Sequence, residues 1–130
     1  MNRYALAAGF FFFWLVVMLA GADFPPPVGF LYLVFLDLVA ALLVIVRAPT
    51  YMAWSAQGKP GRLLRAFIDG ALVGIVFAAM TVLLNPVGEP SVQPTLTDRV
   101  IWHGVLACVG AANALAVYFF STRFNRAARK

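Results

Sequence analysis

Apolar residues along this chain fall in four long blocks, and most of the charged residues are gathered between and beyond them. The blocks run over Tyr4–Ala22, Val28–Val46, Phe67–Asn85 and Val100–Phe120. Each approaches or reaches the ~20 residues that cross a hydrocarbon core. Strands of a membrane barrel would alternate apolar and polar residues, whereas lipid-exposed helices satisfy every backbone group internally and need no alternation. The pattern therefore predicts an all-α integral membrane protein in one domain: four transmembrane helices in antiparallel succession, arranged as two helical hairpins.

The residues between the blocks set how the helices connect. Asp23-Phe24-Pro25-Pro26-Pro27 is long enough only to reverse the chain, and Pro27 suits the first turn of the second helix, so spans one and two should be antiparallel neighbours. Arg47-Ala48-Pro49 is expected to end the second span, because the residue before a proline is pushed out of the helical region. A link over 47–66 follows, in which Thr50–Ala56 reads as a short interfacial helix carrying Tyr51 and Trp54 at headgroup level, and Gln57–Gly61 as a turn. The 86–98 loop, with Pro86, Pro90 and Pro94, reads as an extended solvated connection. At its end Thr95 and Asp98 have the spacing of a capping box that opens the fourth span.

Composition agrees with this class. Of 130 residues, 63% are hydrophobic and 12% charged, where a soluble domain carries about 25% charged residues. The net charge of +5 would suggest nucleic acid for a soluble protein. Here the basic residues instead border the spans: Arg3, then Arg47, Lys59, Arg62 and Arg65, then Arg123, Arg126, Arg129 and Lys130 fall on one side, and only Arg99 on the other. The positive-inside bias then puts both termini and the 47–66 link in the cytoplasm, in a multi-pass protein of a cell membrane of the bacterial inner type. The basic tail Arg123–Lys130 is suited to anionic membrane lipid, and no nucleic acid partner is expected.

The first block also has features of a secretory signal: Asn2-Arg3, an apolar stretch from Leu6 to Leu19, and small residues at Ala20-Gly21-Ala22. Cleavage would follow Ala22. The run Phe10-Phe11-Phe12-Phe13-Trp14 is bulkier than a cleaved segment requires, so retention of the first span is the expectation.

Candidate chemistry is sparse. Asp37 stands in the middle of the second span, where a carboxylate opposes insertion by roughly 2.5–3.5 kcal/mol, a cost the surrounding Val, Leu, Ile and Phe residues exceed. Ala40 and Ala41, one turn on, leave room beside it for a helix, a water or an ion. It is either a protonatable or cation-binding group on a path, or a carboxyl that fixes helix assembly, with Asn113 as a hydrogen-bond partner. Asp69 follows Arg65 by four residues, which predicts an intrahelical ion pair. His103 reads as an interfacial hydrogen-bonding residue, and Asn113 as an interhelical one. Asp37, Asn113, His103 and Asp69 together form the candidate ion, proton or assembly site.

Small residues recur every four positions in the last two spans: Ala66, Gly70, Gly74 and Ala78, then Gly104, Cys108, Ala112 and Ala116. Each row permits close backbone approach to another helix, of this chain or of another subunit. Cys108, the sole cysteine, has no intrachain disulfide partner and reads as a small packing residue.

Glycine loops for phosphate, nucleophile elbows and paired histidines are all missing from the sequence, so no enzyme, metal site or cofactor is expected. The single histidine, His103, has the chemistry for only one haem ligand. The favoured expectation is a non-catalytic accessory subunit of a larger membrane complex, packing through its small-residue faces against other membrane subunits or copies of itself. The alternative is a small oligomeric transporter or channel for protons or cations that uses Asp37.

Overall fold

The structure is a computed structural model that describes residues 2–23, 29–56, 62–84 and 94–127. Four helices run α1 (Arg3–Gly21), α2 (Gly29–Ala56), α3 (Arg62–Leu84) and α4 (Leu96–Ala127). All four are long and apolar enough to cross a membrane. The turns expected at Phe24–Pro27 and Gln57–Gly61, most of the 86–98 loop and the last three residues of the basic tail lie outside the described residues.

Local chemistry accounts for the described helix starts. The Asn2 side chain accepts from the Tyr4 amide at 3.2 Å and caps α1. At α4 the capping box closes in both directions: the Thr95 amide donates to Asp98 Oδ2 at 2.9 Å, and the Asp98 amide donates to Thr95 Oγ1 at 3.2 Å. Two donors that the helix cannot satisfy itself are thereby paired.

The second helix departs from expectation. It does not stop before Pro49 but runs through it to Ala56, so Thr50–Ala56 is the last part of α2 and not a separate interfacial helix. A proline inside a helix removes one backbone bond and costs ~3 kcal/mol. Packing offsets that cost here. Ala48 and Tyr51, on either side of Pro49, are both buried in a cluster with Leu6 and Ala7 of α1, Ala66 of α3 and Val117 of α4. Tyr51 is thus a core residue of the bundle. With 28 residues at ~1.5 Å each, α2 is roughly 42 Å long and overshoots a hydrocarbon core of ~30 Å. The link to α3 is correspondingly shorter than 47–66.

The tightest contact joins α3 to α4. Gly70 and Gly74 are buried, and a Cβ on either would overlap backbone of α4, at Gly110 and Leu106 respectively. A helix pair this close gains dispersion contact between backbones, which in lipid replaces the hydrophobic drive. Pairing of Gly70 with Gly110 and Ala114, and of Gly74 with Leu106 and Ala107, runs in opposite directions along the two helices, so they are antiparallel. The first hairpin, α1 with α2, lays α2 along α4. Arg3, Arg47, Arg62, Arg65 and Arg123 consequently share one end of the bundle, and Asp23, Asp98 and Arg99 the other.

Candidate functional site

Among the described residues, polar contacts toward both ends of the bundle join α2 to α3. At the arginine-rich end, the Arg47 guanidinium donates to Asp69 Oδ1, and Tyr51 Oη donates to Asp69 Oδ2 at 2.6 Å. Toward the other end, Thr81 Oγ1 donates to the Phe77 carbonyl at 2.8 Å, so the hydroxyl contact of 3.2 Å between Tyr32 and Thr81 has Tyr32 as donor. Residues from all four helices line a cavity of about 130 Å³ against α2 and α3: Phe10 of α1, Val44 of α2, Val73 and Phe77 of α3, Leu106 and Asn113 of α4 among them. Arg47, Tyr51 and Asp69 form its polar end.

Asp69 therefore has other partners than the one its spacing predicts. Arg65, one turn before it, is exposed, and the carboxylate is taken by Arg47 and Tyr51 across the bundle. The Tyr51 ring in turn packs edge-on to Tyr118 and against Trp54, whose ring lies under Arg62 with 5.5 Å from guanidinium carbon to centroid. Through Tyr51 this aromatic group adjoins the ion pair, of which the Arg47 side chain stays 46% exposed and that of Asp69 17%.

Asn113 does not reach Asp37. Its Oδ1 accepts from Trp14 Nε1 at 3.1 Å, tying α1 to α4, and its side chain faces the cavity. Asp37 is 7% exposed, and both of its carboxylate oxygens are sealed from the surface with no hydrogen-bond partner among the described residues. It does not line the cavity. His103 Nδ1 lies 2.7 Å from the Arg99 carbonyl oxygen; a carbonyl only accepts, so Nδ1 carries the proton. Of the four candidate residues, the fold brings Asp69 and Asn113 to one cavity and leaves Asp37 and His103 elsewhere. Sequence reasoning missed Arg47, Tyr51 and Trp14 as their partners. Tyr51 and Trp14 carry polar atoms on apolar bodies, which was the available signal.

The small-residue rows behave differently from one another. Ala66, Gly70, Gly74 and Ala78 are all buried, at the α3–α4 contact. On α4, the face that meets α3 is built from Leu106, Ala107, Gly110 and Ala114. Gly104, Cys108, Ala112 and Ala116 are exposed, and a Cβ on Gly104 would meet nothing within 4 Å. That row does not serve the α3–α4 contact. Among the described residues no group of three His, Cys, Asp or Glu side chains could hold a metal ion.

These features describe an all-helical chain whose four helices are each long and apolar enough to cross a membrane. No protein family, curated protein or solved structure matches the chain.

Proposed function

We propose that this protein is a non-catalytic accessory subunit of a larger membrane complex, and that it docks on another membrane helix through the outward face of α4. The observation that carries the reading is the exposure of Gly104, Cys108, Ala112 and Ala116, while α4 uses a second small-residue face for α3. A row of small side chains turned to lipid forgoes contact that larger residues would make, and becomes favourable when another helix backbone approaches it. Helix α1 supports the same reading, since only Leu6 and Ala7 of its residues are buried within the chain. By the positive-inside bias the arginine-rich end faces the cytoplasm, with both termini, in a cell membrane of the bacterial inner type.

Transport through Asp37 has weaker support. A group that binds ions in transit needs contact with water or with a path, and the Asp37 oxygens have neither surface exposure nor a place on the cavity wall.

The test is the composition of the native particle, extracted from its own membrane in mild detergent through a small C-terminal tag. Other subunits at fixed stoichiometry are expected, and Gly104→Leu with Ala112→Leu should release them while leaving the monomer folded. A homo-oligomer that conducts ions unaided, with conduction lost in Asp37→Asn, would replace this reading with the transport one.

A further inference from the structure

We propose that the cavity against α2 and α3 is a binding site for one anionic phospholipid, with its phosphate at Arg47, an ester carbonyl on the Asn113 amide, and the start of one acyl chain along Val73, Phe77 and Leu106. The inference does not rest on the assembly reading, because it concerns a different face of the protein.

The order of chemistries with depth carries it. The polar end of the cavity holds Arg47, whose side chain is 46% exposed and gives one terminal nitrogen to Asp69. A guanidinium has five N–H donors in a planar fork, so donors remain for a phosphate. Asn113 lies at nearly the same level, because Gly70, next to Asp69, packs against Gly110 and Ala114 on either side of it. Its Oδ1 is taken by Trp14, which turns the amide nitrogen into the group left to bond, and a nitrogen with two hydrogens seeks an acceptor such as an ester carbonyl. From Asp69 the wall continues through Val73 to Phe77, about 12 Å of helix, with apolar side chains only. Charge and amide donor together at one end, followed by hydrocarbon, match the headgroup region and the chain of a phospholipid.

Size and charge select the occupant further. A cavity of about 130 Å³ is near the ~150 Å³ that accepts a six-carbon ring, so the first roughly six carbons of a chain enter and the rest stay in the bilayer. Among the described residues, the same end of the bundle carries Arg3, Arg47, Arg62, Arg65 and Arg123 against Asp69. That excess favours a net negative headgroup over a zwitterionic one.

The probe is an equimolar mixture of dioleoyl phosphatidylglycerol and dioleoyl phosphatidylcholine, added to the full-length protein in mild detergent and read by native mass spectrometry. One retained phosphatidylglycerol is expected. Arg47→Gln should lower its retention about fivefold, the effect of one basic residue near a membrane surface, with phosphatidylcholine unchanged. Val73→Trp, which fills the cavity, should abolish both. Equal retention of the two lipids, or full retention by folded Val73→Trp, overturns the proposal. A second measurement needs no cavity variant: with Trp54→Phe and Trp102→Phe leaving Trp14 as the sole tryptophan, phosphatidylglycerol brominated on its acyl chains should quench Trp14 more than the matching phosphatidylcholine. Equal quenching also overturns it.

Discussion

Arg47 and Asp69, 22 residues apart in the chain, form the ion pair that joins the two hairpins. Its members are unequally placed: the Arg47 side chain is 46% exposed and that of Asp69 is 17% exposed. Exposed ion pairs contribute about 0–1 kcal/mol. Arg47→Gln should therefore lower stability by no more than ~1 kcal/mol. Asp69→Asn should cost more, about 1–3 kcal/mol, since it also weakens the bond from buried Tyr51, and hydrogen bonds to charged groups are the stronger kind. Unfolding by a denaturing detergent in mixed micelles would rank the variants, and Tyr51→Phe should fall between them.

Close approach of α3 to α4 gives a contrast between two glycines. Gly74→Ala places a methyl group against the Leu106 carbonyl and should cost ~1–3 kcal/mol, as overpacking does. Gly9→Ala meets nothing within 4 Å and should stay within about ±0.5 kcal/mol. Thermal melts of both variants in one detergent would measure the difference. Equal melting temperatures would mean that the α3–α4 contact is looser than described.

Asp37 offers a test of opposite sign. Both of its oxygens are buried without partners among the described residues, and a buried polar group left unpaired costs ~1–3 kcal/mol. Asp37→Val should therefore raise stability by an amount of that order. If Asp37 has no transport role, Asp37→Asn reconstituted in proteoliposomes should show ion flux equal to that of the unaltered protein. Loss of stability in Asp37→Val would point to a partner that the isolated chain lacks.

The start of α4 depends on the reciprocal bonds of Thr95 and Asp98. Thr95→Ala removes the cap and should cost ~0.5–2 kcal/mol. Hydrogen exchange localises the effect: protection should fall in the first turn after Leu96 and remain unchanged around Gly110.

Much of the fold was legible because spanning a membrane is a requirement on length and apolarity, and both are properties of the sequence. The four blocks correspond to the four helices, and the Thr95–Asp98 spacing to an actual cap. Pro49 shows where local reasoning fails. The proline rule describes an isolated chain, and the buried neighbours Ala48 and Tyr51 outweigh it.

The candidate site was less legible. Spacing placed Arg65 one turn before Asp69, but a helix neighbour has no advantage over a residue that another helix brings closer, and Arg47 is that residue. Asn113 was recognisable as a hydrogen-bonding group, whereas its partner Trp14, 99 positions away, depends on how the hairpins dock.

The sequence by itself determined that this chain has four helical stretches long and apolar enough to cross a membrane, and that its arginines, Arg99 excepted, fall on one side of them. Only the tertiary structure decided which face of α4 meets α3, who pairs with Asp69, and that Asp37 is sealed from the cavity. The physical reason lies in the solvent. In water, burial sorts polar from apolar faces and the pattern records it; in lipid every face is apolar, and the choice between Gly104–Ala116 and Ala107–Ala114 falls to shape and to a few hydrogen bonds.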